Sequence, residues 1–406
     1  MNYQLYHKNV YVAEIDFDPE MNKIKNVIEV SDYEHLPVGV TNINGFSLSA
    51  AIQFWWQNRL IPKNRTKVIL ENPEFKDLFK GAYGFNLTDH YWIKSDNDAM
   101  TWKKGNFFTN AFNENLGKFI ISGKSPSVLN MSSNSPDLFS NGEQDKRWMI
   151  LDGIRTLVKY GRPPYFEQPF NEVLASEICK RLDIPHVKYK IAVKNDTENI
   201  NILSLCPCFS DENTEFIPAG FVQYAVSKEK GESAYTHFLR CCKALGMPES
   251  NSIEKSLGCM MALDYIIANQ DRHFGNFGFL RDSASLNWKG FVPNFDCGNS
   301  MFFEYPTSDL RKSGSLMENA PCKTFASTQK EQIKKFSSVI ALKNLDLKKL
   351  DGIEQFYKKI LSLNPKVDDE RRNILSGYLK QRVITISNIL FREHSTQREY
   401  TSNCRR

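Results

Sequence analysis

Asn269-Gln270-Asp271-Arg272-His273-Phe274-Gly275-Asn276, followed by a second acidic turn, Asn294-Phe295-Asp296-Cys297-Gly298-Asn299, is the pair of segments that decides how this chain is read. An Asp that opens a short loop and an Asn five positions on can face one ligand together, and a carboxylate on a neighbouring turn adds a further oxygen. Phosphoryl transfer asks for this set. One carboxylate orients the attacking hydroxyl, while an amide oxygen and a second carboxylate hold the Mg²⁺ that bridges nucleotide phosphates. Upstream, residues 253–268 read as a mostly apolar helix that delivers the loop from a rigid base. Downstream, Gly278-Phe279-Leu280 opens a strand, and a hairpin of about a dozen residues returns the chain to Asp296. Either turn alone reads equally well as a solvated charged turn; the ordered pair supplies the specificity.

Such a site also needs a Lys on a strand to hold phosphates and a Glu on the following helix to hold that Lys. Residues 155–161 read as a strand with Leu157 and Lys159 on one face. After Pro163-Pro164, apolar residues at 170, 174, 178 and 182 mark one stripe of a helix. Glu172, in its first turn, is placed to meet Lys159, with Glu177 as a competing partner. No G-x-G-x-x-G precedes Lys159. The Ser-, Asn- and Pro-rich stretch 122–142 stands there instead, and the backbone of Ser140, Asn141 and Gly142 is the candidate phosphate cradle, a plain connector being the alternative. Gly117 to Ser125 mimics a nucleotide-binding Walker loop, but five residues separate Gly117 from Gly123 where that loop has four.

The segments 157–161, 170–176, 269–276 and 294–300 resemble, in the same order, those of HipA-like serine/threonine kinases. Residues 55–62 and 87–94 resemble the N-terminal region of a subgroup of that family. The Asp271-to-Asn276 spacing is also that of the protein-kinase loop H-R-D-x-x-x-x-N. The resemblance implies an α+β, two-lobed protein-kinase-like fold with a mixed α/β N-terminal extension (1–115), a smaller lobe (116–210) and a mainly helical C-terminal lobe (211–406). It further implies ATP and Mg²⁺ as cofactors. Asp271 is then the base, Asn276 and Asp296 hold metal, Lys159 holds phosphates, Glu172 positions Lys159, and His273 stiffens the loop. The strand-like run 202–209, with Cys206 and Cys208, falls at the hinge whose backbone contacts adenine. Family members phosphorylate a Ser in the Ser-rich region; Ser132, Ser133 and Ser135 are the candidates, and the sequence does not choose among them. Cys297 stands where eukaryotic kinases carry the Phe of Asp-Phe-Gly, so regulation by flipping that Phe is not expected. The implied partners are a protein substrate and an antitoxin that restrains a toxin, with DNA reached only through such a partner.

Composition bounds this reading. The chain has 406 residues, 41% of them hydrophobic, and a net charge of +5 spread along its length, which does not by itself argue for nucleic-acid binding. No apolar run approaches about 20 residues and the N-terminus lacks a signal-peptide hydrophobic region, so a soluble cytoplasmic protein is expected. The nine cysteines include Cys206-Pro-Cys208 and Cys241-Cys242 but no C-x-x-C ladder, and read as reduced thiols. Trp55 and Trp56 argue for packing against the body of the protein more than for a ligand cage. Two other classes compete with a protein kinase: a lipid or small-molecule kinase, and a non-catalytic ATP-binding regulator.

Overall fold

Strand-period alternation opens the chain, with Leu5, Val12, Ile15, Phe17 and Ile24 turned inward. In the computed structural model β1 (Asn2–His7), β2 (Val10–Asp18), β3 (Lys23–Val30) and β4 (Tyr91–Ser95) form an antiparallel sheet of order β3-β2-β1-β4. The structure describes all residues except 44, 63–80, 123–132, 196–199, 248–249, 313, 315–319, 338, 340–341, 343 and 404–406. Helix α1 (Leu48–Gln57) lies against this sheet, its N-terminus capped by Ser47, whose hydroxyl accepts from the Ala50 N–H at 3.3 Å. Trp55 and Trp56 pack inside this N-terminal core, against Tyr91, Phe17 and Phe139, and Phe221 and Tyr224 pack against the same cluster. Arg59 covers both indoles, at 4.9 and 4.8 Å, while Asp89 accepts from its guanidinium at 2.8 and 2.7 Å. Leu116, Phe119, Leu138 and Phe139, the first two on α2 (Asn115–Ser122), belong to the same apolar cluster.

A second antiparallel sheet has the order β5-β6-β8-β7, from β5 (Lys146–Leu151), β6 (Ile154–Tyr160), β7 (Lys190–Asn195) and β8 (Ile200–Pro207). Asp152 and Gly153 join β5 to β6 with positive φ angles of 50° and 78°, the two-residue turn that Asp-Gly favours. That turn fixes the register and sets Lys146 directly opposite Lys159. Helix α3 (Gln168–Arg181) follows, with Pro169 in its first turn and Lys180 and Arg181 in its last, as the helix dipole favours. Its Phe170, Leu174 and Ile178 are fully buried, which stabilises by about 1.5–3 kcal/mol per side chain.

The third sheet, order β11-β10-β9, joins β9 (Thr214–Pro218) to the hairpin β10 (Gly278–Asp282) and β11 (Trp288–Phe291). A Cβ on Gly278 would lie 2.1 Å from the Ile217 carbonyl oxygen, so the close pairing of β10 with β9 requires glycine there. Helices α4 (Ala234–Ala244), α5 (Ser250–Ile266), α6 (Gln329–Phe336), α7 (Ile353–Leu361) and α8 (Asp369–Asn403) surround the largest apolar cluster, to which α5 gives Leu257, Met260, Met261, Leu263 and Ile266. The start of α8 is tied to the start of α3 by a buried bidentate pair, Arg371 donating to Glu167 at 2.6 and 2.9 Å. Among the described residues no helix is long and apolar enough to cross a membrane.

Candidate active site

Helix α5 ends at Ile266 and the chain reverses through Ala268, held at φ 51°, into the loop of Asp271. One buried arginine organises everything around it. The Arg272 guanidinium donates to Asp264 of α5 at 3.0 Å, to the carbonyls of Asn276 and Phe295 at 2.7 Å each, and to the Cys297 sulfur at 3.1 Å. It therefore fastens the Asp271 loop and the Asp296 turn to the same helix. Within the loop, the Asn276 amide nitrogen donates to the Asp271 carbonyl at 3.0 Å, leaving its Oδ1 as the atom to offer a cation. His273 Nδ1 accepts from the Gly275 N–H at 3.0 Å, a bond that closes the turn. The two Asp271 carboxylate oxygens accept from Lys323 at 2.6 Å and from Asn299 at 2.8 Å.

Across from this loop, Lys159 reaches out of β6 and is buried. Its ammonium donates to Glu172 at 2.8 Å and to Asp296 at 2.5 Å, with the Tyr189 hydroxyl at 3.4 Å. Burial works against the charged ammonium, but the Asp296 and Glu172 charges outweigh it and hold Lys159 well above the ordinary lysine range. Burial likewise pushes the Asp296 carboxyl up, and the charges of Lys159 and Lys146 outweigh that and hold it well below the usual range. Glu177, the competing partner, lies elsewhere on α3 and accepts from Arg181 at 2.9 Å, so Glu172 is the residue that meets Lys159. Asp296 sits at φ 55°, a left-handed conformation that Asp tolerates better than most residues. Asn171 steadies the turn beyond it, donating to the carbonyls of Gly298 and Ser300 at 3.0 and 2.8 Å.

Lys159, Tyr189, Asp271, His273, Asn276, Asp296, Asn299 and Lys323 line one cavity of about 1040 Å³, and so do Lys146, Ser140, Asn141 and Gly142. Two lysines facing each other across adjacent strands repel unless anions intervene, and here the Asp296 carboxylate lies in their field. The cradle residues are already engaged in part. Asn141 donates to the Asn58 carbonyl at 2.8 Å and accepts from the Gly142 N–H at 2.7 Å, while Gly142 adopts φ 106° and a Cβ there would lie 2.5 Å from Lys146 Nζ. Cys206 and Cys208 also line the cavity, and the Cys208 N–H donates to the Arg155 carbonyl at 2.8 Å. Burial pushes the Cys206 thiol up to about 12. Ser132 lies outside the described residues. Ser133 is half-buried and donates to the Gly81 carbonyl at 3.0 Å; Ser135 is buried, caps a short 3-10 turn (Pro136–Phe139) and donates to Asp137 at 3.2 Å. Neither lines the cavity.

Sequence reasoning missed Lys146, Tyr189, Arg272, Asn299 and Lys323. Lys146 had a readable signal in the Asp-Gly turn that fixes its register against Lys159, and Arg272 and Asn299 stood inside the two turns already singled out.

No family model and no curated protein matches this chain. Several solved structures are similar to it, two of which follow. The proinflammatory kinase CtkA of Helicobacter pylori shares 18% identity over 62% of this chain and 95% of its own, with a TM-score of 0.48. HipA, in the toxin–antitoxin complex of Shewanella oneidensis MR-1 HipA and HipB with operator DNA, shares 12% identity over 95% of this chain and 97% of its own, with a TM-score of 0.49. The chain's structural neighbours thus include a HipA toxin–antitoxin protein and a bacterial kinase.

Proposed function

We propose that this protein is an ATP- and Mg²⁺-dependent kinase that phosphorylates a serine or threonine hydroxyl on a protein, with its site between a smaller lobe (116–210) and a mainly helical lobe (211–406) and residues 1–115 as an extension. The observation that carries this reading is the Lys159 ammonium, bonded to buried Glu172 and to half-buried Asp296, with Lys159 and Asp296 facing the Asp271–Asn276 loop across one cavity. The donor set suits the cofactors. Mg²⁺ prefers hard oxygen ligands, which the Asp296 carboxylate and Asn276 amide supply, and the Lys146 and Lys159 pair suits polyphosphate. Bound Mg²⁺ would neutralise phosphate charge during transfer.

The residues divide the remaining work. Asp271 accepts the proton of the attacking hydroxyl, with Asn299 and Lys323 fixing its two oxygens. Lys159 binds phosphate oxygens and is held in place by Glu172. Arg272 keeps base and metal ligands in fixed relation, which is where positioning contributes to rate. The test is transfer of labelled γ-phosphate from ATP to protein acceptors, with Asp271→Ala beside the natural protein. Transfer lost in the variant while nucleotide still binds supports the assignment; equal transfer by both overturns it.

A further inference from the structure

A second cluster of chemistry-bearing side chains lies away from the cavity, where the first sheet meets the third. His7 ends β1, His90 immediately precedes β4, and Glu215 sits on β9; all three are fully buried. His7 Nε2 is 3.1 Å from Glu215 Oε2, and His90 Nδ1 is 3.9 Å from that same oxygen.

The tautomer of His90 is decided by its other nitrogen. His90 Nε2 lies 3.0 Å from the Asp211 carbonyl, which can only accept, so Nε2 carries the hydrogen. In the neutral ring Nδ1 is then a bare lone pair. It is buried, has no hydrogen-bond partner among the described residues, and faces Glu215 Oε2, an acceptor whose other neighbour is His7 Nε2 at 3.1 Å. Two electron-pair donors facing each other in a dry pocket call for a cation between them.

Everything around the three atoms orients them. The Asp211 carbonyl holds the His90 ring in the way that outer partners hold metal-ligating histidines. His35 Nδ1 meets His7 Nδ1 at 2.8 Å, leaving Nε2 to face Glu215. Arg281 takes Glu215 Oε1 at 2.6 Å, which leaves Oε2 for a metal, although its charge works against a cation. Trp102 and Phe108 wall in the His90 ring, each with its centroid 5.0 Å away, and Tyr91 stacks on His7 at 4.4 Å.

We infer that His7 Nε2, His90 Nδ1 and Glu215 Oε2 form a Zn²⁺ site that staples the N-terminal sheet to β9. The three ligand atoms lie within 4.8 Å of one another. Tetrahedral Zn²⁺ with bonds of about 2.0–2.1 Å places its ligands about 3.3 Å apart, so closure asks the ligand atoms to approach one another by at most about 1.5 Å. Two imidazoles and a carboxylate are a recurrent zinc donor set, with water in the fourth position.

The experiment is a zinc titration of the full chain after chelator treatment, by competition with a chromogenic chelator, with His90→Gln, Glu215→Gln and Asp296→Ala in parallel. The expected result is one equivalent bound below about 1 μM, with a rise in Tm. Affinity falls by about 100-fold or more in His90→Gln and Glu215→Gln at unchanged circular dichroism, and is retained in Asp296→Ala, which excludes binding at the nucleotide site. Should both site variants misfold, zinc-edge absorption of the natural protein decides, two imidazoles and a carboxylate being expected. No bound equivalent in the natural protein, undiminished binding in a folded His90→Gln, or a sulfur-rich zinc shell overturns the site.

Discussion

Glu172 accepts a hydrogen bond from the backbone N–H of Cys297 at 2.7 Å through the oxygen that Lys159 does not use. One carboxylate thus holds both the lysine of β6 and the turn that carries Asp296. The position of α3 and the position of that turn are coupled through a single side chain.

Removing that carboxylate leaves a buried ammonium and a buried N–H short of an acceptor. Glu172→Ala is expected to destabilise by about 3–5 kcal/mol, read by urea denaturation. Glu172→Gln keeps the shape and loses the charge; phosphate transfer is expected to fall by about 100-fold, because Lys159 is no longer held in register.

Asp271→Asn retains size and polarity but accepts no proton. Transfer is expected to fall by about 10³-fold while Mg²⁺-ATP affinity, measured by calorimetry, changes little. Asp296→Ala is expected to remove Mg²⁺-dependent nucleotide binding itself, which separates the two acidic residues experimentally.

Arg272→Met strands the Asp264 carboxylate, which is 1% exposed. A loss of about 3–5 kcal/mol in unfolding free energy is expected, and activity should fall in the molecules that remain folded.

His90 predicts a pH dependence. Its folded imidazole sits near about 4 because burial outweighs the pull of Glu215, against an ordinary value of 6.5. Between those values the unfolded chain binds a proton that the folded chain does not, so stability falls as pH drops through this window. The contribution is about 2 kcal/mol at pH 5. Burial and the His7 charge also lower His35, which adds in the same direction. Denaturation in EDTA at pH 7 and pH 5 should show a smaller pH effect in His90→Gln than in the natural protein.

Much of the site could be read in the sequence because its parts are local. Asp271 and Asn276 share one turn, the apolar stripe of α3 places Glu172, and the Asp-Gly hairpin places Lys159 on a paired strand. Lys323 meets Asp271 from 52 residues downstream, and no periodicity or turn signal connects them. Arg272 was visible between Asp271 and His273, but its role depends on Asp264, Phe295 and Cys297 converging, which only tertiary packing supplies. The histidine–glutamate cluster is harder still, since His7, His90 and Glu215 come from three strand ends or flanks brought together by two sheets. The two tryptophans followed the expected rule of packing, in a cluster to which the β1 to β4 sheet, Phe139 and Phe221 all contribute.

The central claim is phosphate transfer dependent on Asp271. Intact-mass spectrometry of phosphate-free protein with an acceptor protein mixture, Mg²⁺ and ATP, beside Asp271→Ala, tests it most directly. The account predicts added phosphate, on this chain or on an acceptor, that is absent with the variant and maps to serine or threonine. Phosphate gained equally with Asp271→Ala, or none gained by any protein at saturating Mg²⁺-ATP, would contradict it.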